Sequence, residues 1–276
     1  MTPVQQPLAA TTVTSPKKFV PLWPAVLPTG ATLVQANESE FGPGSLGTGL
    51  LARFDDAGHA TAVWVAVAPG AVSATPTTLA TPDITRGAPV SDPSGTPVGL
   101  ANGRKGTYTQ LDNQASLKFA VGDVLVALNG TVSLDDLASA ANGISVSADG
   151  VVTTRPGADN GWQVAIPPSS LAGSVEYRAI FEAGGERFAV SSSDAPPEIS
   201  NIIQQSGPLT REHTAQGDVW HLAALSIGHR TDGTWVLVGS AEPPGLPVDE
   251  RRAVLASLRP ATPEERAGFS LGGGTG

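Results

Sequence analysis

The sequence predicts a mostly β protein of the α+β class, arranged as two tandem repeats. Only 15% of the residues are charged, while 32 glycines and 24 prolines supply turns, a composition typical of strands joined by turn-rich loops. Runs of β-type residues separated by turn signals recur in the same order twice, and 276 residues exceed the usual size of one domain. We expect each repeat to be an antiparallel sheet of two hairpins with one short helix packed on it.

Residues 1–30 are predicted to form a Pro-rich arm. Proline fixes φ, lacks a backbone donor and keeps the preceding residue extended, so the arm favours a polyproline-like linker. The simpler interpretation is a tether. The alternative is that the end of the arm docks on the body, because it carries apolar side chains: Phe19, Leu22, Trp23, Val26 and Leu27.

The first repeat is predicted to span residues 31–148. It opens with a short strand from Ala31 and continues with a hairpin over 49–68. Aspartate and glycine tolerate the positive φ of tight hairpin turns, which places the turn of this hairpin at Asp55, Asp56 and Gly58.

The second part of this repeat begins with a long loop over residues 69–106, rich in Pro, Thr, Gly and Ser. A loop of that length is either an excursion or a functional segment. Tyr108 opens another extended stretch, strands over 118–120 and 124–128 form the second hairpin, and Asn129-Gly130 ends it.

A capped helix closes the first repeat. The Ser133 hydroxyl can accept from the backbone near Asp136, three residues on, as in a capping box. Gly143 suits the left-handed residue that ends a helix. Apolar residues at helical spacing predict a stripe facing the sheet: Leu134, Leu137, Ala138 and Ala141.

The second repeat is predicted to span residues 150–268. Its first strand covers 162–166, and a hairpin follows over 175–190. Ile202 and Ile203 suggest a short strand or a turn of helix. Strands over 219–228 and 234–239 are then expected to pair around the turn sequence His-Arg-Thr-Asp-Gly.

The closing helix of the second repeat is predicted over residues 248–259, followed by a disordered tail over 269–276. Asp249 and Glu250 lie near its positive end and Arg259 near its negative end, and Pro260 stops it. The alternative to duplication is two unrelated meanders, because alternating strands and glycine turns resemble one another easily.

Two segments, 124–141 and 235–258, resemble the end of a small β-rich domain of high-GC bacterial lipoproteins and anti-sigma-factor-like membrane proteins. The first segment carries the likeness in a strand that ends in Leu-Asn-Gly and is followed by Ser-Leu-Asp-Asp-Leu. The resemblance implies an extracytoplasmic location behind a Pro-rich tether and a sensory or binding role. It brings no catalytic residues with it.

Net charge and hydropathy limit which classes of partner the protein can have. A net charge of −9 and a pI of about 4.8 disfavour nucleic acid, because a phosphate backbone would be repelled. No apolar run reaches the roughly 18–20 residues that span a bilayer, and no signal peptide is recognisable. The protein is therefore expected to be either cytosolic or the soluble part of a protein that is tethered to the membrane through a missing N-terminal segment.

No catalytic, cofactor-binding or metal-binding residue is predicted. Cysteine is absent, and the histidines lack the spacing of a helical metal pair. The chain has no Gly-x-Ser-x-Gly sequence, and the Gly-rich run at 42–49 lacks the lysine of a phosphate loop. The carboxylate pairs Asp55-Asp56 and Asp135-Asp136 fit a turn and a helix start.

Tryptophans are the candidate contact residues for a ligand or partner. An apolar groove between sheets could take a lipid, a peptide or a partner strand, whereas the alternative is ordinary core packing. The candidates are Trp64, Trp162, Trp220 and Trp235. Asn129 begins a glycosylation sequon, Asn-Gly-Thr, for which a turn is the preferred explanation.

The function expected from these observations is a non-enzymatic extracytoplasmic binding or sensor module. It would contact a protein partner or an apolar ligand through a sheet face or an edge strand. Two alternatives stay open: a hydrolase acting on cell-wall or glycan material, and a structural or assembly protein of a surface.

Overall fold

A computed structural model describes residues 20–41, 49–55, 59–69, 95–111, 114–122, 124–146, 152–154, 161–168, 173–197, 209–222, 224–240 and 245–271. The predicted turn residues Asp56 and Gly58 and the predicted element at Ile202 and Ile203 lie outside these ranges. Within them the protein is rich in β-strands, most of which belong to one large antiparallel sheet.

Residues 22–154 contribute ten strands to the described ranges. They are β1 (Leu22–Pro24), β2 (Thr32–Glu40), β3 (Gly49–Phe54), β4 (His59–Pro69), β5 (Thr96–Gly99), β6 (Lys105–Leu111), β7 (Gln114–Val121), β8 (Val124–Gly130), β9 (Ile144–Val146) and β10 (Val152–Thr154).

Residues 163–271 contribute nine strands to the same ranges. They are β11 (Gln163–Ile166), β12 (Val175–Ala183), β13 (Glu186–Ser193), β14 (Leu209–Thr214), β15 (Gly217–His221), β16 (Leu225–Arg230), β17 (Trp235–Gly239), β18 (Leu258–Pro260) and β19 (Ser270–Leu271).

Strand order in the large sheet follows the same scheme in two series. One series runs β11-β3-β4-β8-β7-β6-β5, the other runs β2-β12-β13-β17-β16-β15-β14, and β14 joins β4. In this arrangement β2 pairs with β12, and β11 pairs with β3. The first strand of each predicted repeat therefore pairs with the hairpin of the other.

Helix α1 (Leu134–Gly143) confirms the predicted cap, since the backbone N–H of Asp136 donates to the Ser133 hydroxyl at 3.1 Å. Leu137 and Ala141 are buried as expected, whereas Leu134 and Ala138 are only half-buried. The prediction for Gly143 is wrong: it stays helical and the chain passes directly into β9.

Helix α2 (Val248–Ala256) is shorter than predicted, because residues 258–260 form β18 instead of a last helical turn. The backbone of residues 258–260 pairs with β1 instead of continuing the helix. A third helix, α3 (Pro263–Ala267), was not predicted. Thr262 and Glu265 form its capping box.

The end of the N-terminal arm docks on the body. β1 pairs with β18, Leu22 is buried, and Trp23 makes edge contacts with Phe181 and Phe269 at ring-centroid distances of 5.7 Å. Residues 22–24 therefore dock on the body, as the alternative interpretation of the arm expected. In the predicted tail, Ser270 and Leu271 pair with β2 as β19.

Several element boundaries also differ from the prediction. β5 lies inside the segment expected to be a loop, β8 continues through Gly130, and β14 was not predicted. The expected strand over 219–228 is two strands, β15 and β16, which pair with each other.

Candidate functional site: a slot under α2

A cavity of about 310 Å³ lies between α2 and the strands β14 to β17. We call it the α2 slot. Strand residues form its floor and one wall, and the C-terminal half of α2 forms the opposite wall. Its lining residues are Glu212, Thr214, Ala215, Gln216, Gly217, Asp218, Val219, His221, Gly228, His229, Arg230, Val236, Arg252, Leu255 and Ala256.

The floor of the α2 slot is a row of three residues on adjacent strands. Val219 of β15 lies opposite Gly228 of β16, which lies opposite Val236 of β17. Gly228 contributes no side chain to this row, and Val236 reaches over it. A Cβ at position 228 would come within 2.7 Å of Val236 Cγ2, so any larger residue would have to displace the Val236 side chain.

Two polar contacts join α2 to the sheet at the sides of the slot. The Gln216 side-chain amide donates to the carbonyl oxygen of Ala256 at 3.3 Å. The Arg252 Nε donates to Glu212 Oε2 at 2.8 Å. These contacts hold the helix over the floor without filling the space between them.

A buried hydrogen-bond chain leads from Glu212 into the sheet through His221. His221 Nε2 lies 3.1 Å from Glu212 Oε2, and His221 Nδ1 lies 2.7 Å from the Ser226 hydroxyl. Because a carboxylate only accepts, the neutral ring donates from Nε2, and the Ser226 hydroxyl donates to Nδ1.

Burial lowers the pKa of His221 below its ordinary value, an effect that the hydrogen bond to Glu212 opposes and that the positive charges of Arg252 and Arg251 strengthen. The Arg252 hydrogen bond is the main cause that lowers the pKa of Glu212. At neutral pH the site therefore holds a neutral imidazole beside an ionised carboxylate.

The charged groups around the slot are already paired. Arg252 contacts both Glu212 and Asp249, at 2.8 and 3.0 Å. Asp218 accepts from Arg211 at 2.6 Å, and Arg230 lies 3.4 Å from Asp232. Each charge is offset within the protein, so the slot offers an apolar floor and no unbalanced charge to a ligand.

The chain Ser226–His221–Glu212 has the residue types of a hydrolase triad, but its serine cannot serve as a nucleophile in this structure. Ser226 has 0% exposure, because β16, on which it lies, is flanked by β15 and β17 and covered by α2. A substrate carbonyl could not approach its hydroxyl. The chain serves instead to satisfy buried polar groups.

The four tryptophans singled out from the sequence are all buried, with exposures between 4% and 6%. Trp64, Trp220 and Trp235 pack in one core cluster, and Trp162 packs in another. Trp220 alternates with Val219 and His221 along β15, which places it on the face away from the slot. Their role as contact residues stays a prediction.

The other candidates are dispersed over the fold. His213 contacts Asp218, and His229 stacks on Trp235 at 4.2 Å. Among the described residues, no group of three or more His, Asp and Glu side chains is placed to hold a metal ion. Likewise, no helix in the described part of the chain is long and apolar enough to cross a membrane.

The residues that shape the slot were not found from the sequence. The available signal was the alternation Val219-Trp220-His221 followed by Gly228, but the break after His221 was missed. Without that break, His221 and Ser226 cannot be recognised as cross-strand neighbours.

Comparison with known proteins leaves this site unassigned. The chain matches no known protein-family profile and no curated protein. A solved structure with some similarity is the apo immunity protein TplEi of the T6SS from Pseudomonas aeruginosa, with 13% identity and a TM-score of 0.20. The alignment covers 82% of this chain and 97% of that one.

Proposed function

We propose that this protein is a non-enzymatic binding module whose α2 slot takes an uncharged apolar ligand or side chain. The observation that carries the proposal is the open row Val219–Gly228–Val236 beneath α2. Its volume of about 310 Å³ lies at the lower end of ligand pockets, which are commonly about 300–1,000 Å³. The occupant would therefore be small, such as one aromatic ring or a branched alkyl group.

The apolar class of ligand follows from the charges. Val219, Val236 and Leu255 supply hydrophobic contact, while Arg252 and Glu212 neutralise each other at the side. A charged ligand would lose hydration without gaining an unpaired partner, which is costly inside a cavity. A neutral group loses little hydration free energy on entering the slot. The apolar area that it buries stabilises the complex by about 25 cal/mol per Å².

A hydrolase is less well supported, because the serine of the Ser226–His221–Glu212 chain is fully buried. An extracytoplasmic location and a membrane tether remain predictions from the sequence resemblance. We also infer that the chain arose by duplication, followed by exchange of the first strands. The matching strand orders of the two series support this inference.

The test is a titration of the intact protein with a neutral naphthylamine dye, read by fluorescence. We expect saturable binding with a single site. Gly228→Val should weaken it by at least about tenfold, because a loss of about 1.4 kcal/mol in contact corresponds to that factor. Gly99→Val is the matched control, since a Cβ at Gly99 in β5 meets nothing within 4 Å.

A second variant tests the site even if Gly228→Val does not fold correctly. Ala256 is exposed at the wall of the slot, so Ala256→Leu can obstruct the opening while leaving the core unchanged. Binding that persists unchanged in both variants would refute the proposed site. Binding lost equally in the Gly99→Val control would also refute it.

A further inference from the structure

His221 is a buried ionisable group in the wall of the α2 slot. It lies on the same face of β15 as Val219 and lines the cavity, yet only 4% of it is exposed. Among the lining residues within the described ranges, it is the one ionisable residue that is buried. Histidine changes charge between about pH 5 and 8, so acidification can turn this wall from neutral to positive.

The hydrogen bonds of His221 suit the neutral ring. Its Nε2 donates to Glu212 Oε2, the same oxygen that accepts from Arg252 Nε of α2, and its Nδ1 accepts from the Ser226 hydroxyl. A second ring proton on Nδ1 would make both nitrogens donors. The Ser226 hydroxyl would then have to turn and accept, and its own hydrogen could not reach solvent because Ser226 has 0% exposure.

The charges that face His221 also favour the neutral ring. Glu212 of β14 is the carboxylate beside the ring, but Arg252 of α2 shares it. Burial lowers the pKa of His221, and the positive charges of Arg252 and of Arg251 on the same helix lower it further, against the opposing effect of Glu212. From β17 only Val236 reaches the lining. The other ionisable residues of the lining are His229, which is exposed, and Asp218 and Arg230, which pair with Arg211 and Asp232.

We propose that the α2 slot releases its occupant on acidification, because His221 in its wall becomes charged. The inference rests on the proposed function of the slot and adds its regulation. A cavity of about 310 Å³ is large enough for several water molecules, which would stabilise a charged ring, and an apolar occupant replaces that solvent. The occupant therefore binds more tightly to the protein whose His221 is neutral.

The sign of the pH effect follows from linkage. The dissociation constant of the occupant should be constant while His221 is neutral. It should rise as pH falls through the pKa of His221, which lies below 6.5 in the folded protein. An occupant that lowers this pKa by about one unit binds about tenfold more weakly once His221 is charged.

A titration of the full chain with the neutral naphthylamine dye at several pH values tests the proposal. Between pH 7.5 and the lowest pH at which circular dichroism shows the folded protein, we expect the dissociation constant to rise by about tenfold. His221→Gln keeps a neutral side chain at every pH and should remove this rise, whatever its dissociation constant at pH 7.5. His213→Gln is the matched control: His213 is exposed and lies outside the slot lining, so this variant should follow the wild-type profile.

Imidazole NMR of the wild-type protein provides a readout that does not depend on the folding of a variant. Because linkage is reciprocal, saturating toluene should lower the pKa of His221 by about one unit and leave that of His213 in place. A pKa of His221 that toluene does not change would overturn the proposal. So would a His221 ring that stays neutral over the whole pH range in which the protein is folded.

The outcomes separate the acid release from the proposed function. If neither the dye nor toluene binds saturably at pH 7.5, the slot is not a binding site and both proposals are wrong. If binding at pH 7.5 is saturable but the dissociation constant stays constant on acidification, only the acid release is wrong. A rise that persists in His221→Gln would also overturn the acid release, because another group would then cause it.

Discussion

The two helix-covered layers of the sheet differ in what lies beneath the helix. α1 covers β7 and β8, and α2 covers β16 and β17 in the corresponding place of the second series. Beneath α1, β7 presents Ala115, Leu117 and Phe119, all buried. Beneath α2, the corresponding face of β16 presents Ser226, Gly228 and Arg230.

This difference shows that side-chain volume, and not the arrangement of strands, creates the α2 slot. Under α1 the space is filled by Leu117 and Phe119, each with 0% exposure. Under α2 a glycine occupies the centre of the floor, and the buried helix residue Arg251 donates to the carbonyl oxygen of Leu222 at 2.9 Å. The first layer is filled with apolar side chains, whereas the second contains a cavity of about 310 Å³.

The largest expected change in stability comes from creating a cavity in the apolar layer beneath α1. Phe119→Ala should reduce the free energy of unfolding by about 3–5 kcal/mol, because a buried aromatic ring is replaced by a cavity. Urea unfolding followed by circular dichroism measures this loss. Leu33→Ala, an apolar truncation at an exposed site, should change stability by less than about 1 kcal/mol. Similar losses in both variants would contradict the comparison.

Beneath α2, the loss of stability should come from a broken hydrogen bond instead of a cavity. His221→Ala should lower the free energy of unfolding by about 1–3 kcal/mol, because the buried Ser226 hydroxyl loses its acceptor. His229→Ala is the control, since His229 is exposed and its ring stacks on Trp235 instead of joining the buried hydrogen-bond chain. Equal unfolding midpoints for His221→Ala and the wild-type protein would show that the hydrogen-bond chain contributes nothing.

The pH dependence of stability should also originate beneath α2. The pKa of His221 is lowered in the folded state, so below its unfolded value of about 6.5 the unfolded chain binds more protons. The free energy of unfolding should then fall as pH decreases from 7.5 towards the folded pKa. Below that pKa this contribution is constant.

Glu212 acts in a separate window. Its lowered pKa means that its stabilising contribution is present above its unfolded value of 4.5 and is lost as pH falls through its folded pKa. His221→Gln should therefore flatten the profile from about pH 7.5 down towards the folded pKa of His221, and it should leave the more acidic, Arg252-dependent part in place. An unchanged slope in that variant would contradict the assignment to His221.

The smallest effect concerns the helix caps. α1 begins with the Ser133 cap, whereas Pro247 before α2 makes no side-chain cap hydrogen bond. Ser133→Ala should cost about 1 kcal/mol of unfolding free energy. Thr131→Ala, which removes an exposed hydroxyl two residues before the cap, is the control and should cost less. Equal unfolding midpoints for the Ser133 and Thr131 variants would show that the cap does not stabilise α1.

Local chemistry could be predicted from the sequence, and long-range pairing could not. The Ser133 cap and the tight turn at Gly184 and Gly185, with φ of 60° and 87°, follow from neighbouring residues alone. The pairings of β2 with β12 and of β11 with β3 join distant segments whose strand patterns are equally compatible with other partners.

The candidate site escaped prediction for the same reason. Gly228 lies in the floor of the slot only because it is placed between Val219 and Val236 on adjacent strands, and no local pattern encodes that register. Tryptophan, by contrast, is conspicuous in a sequence but is most often buried for its apolar area, as Trp220 is here.

Methyl NMR during a titration with toluene tests the central claim most directly. Signals of Val219 and Val236 under α2 should shift progressively and saturate, while those of Leu117 and Leu128 under α1 should stay in place. Shifts confined to the methyl groups under α1, or no saturable shift at Val219 and Val236, would contradict the assignment of the α2 slot as a binding site.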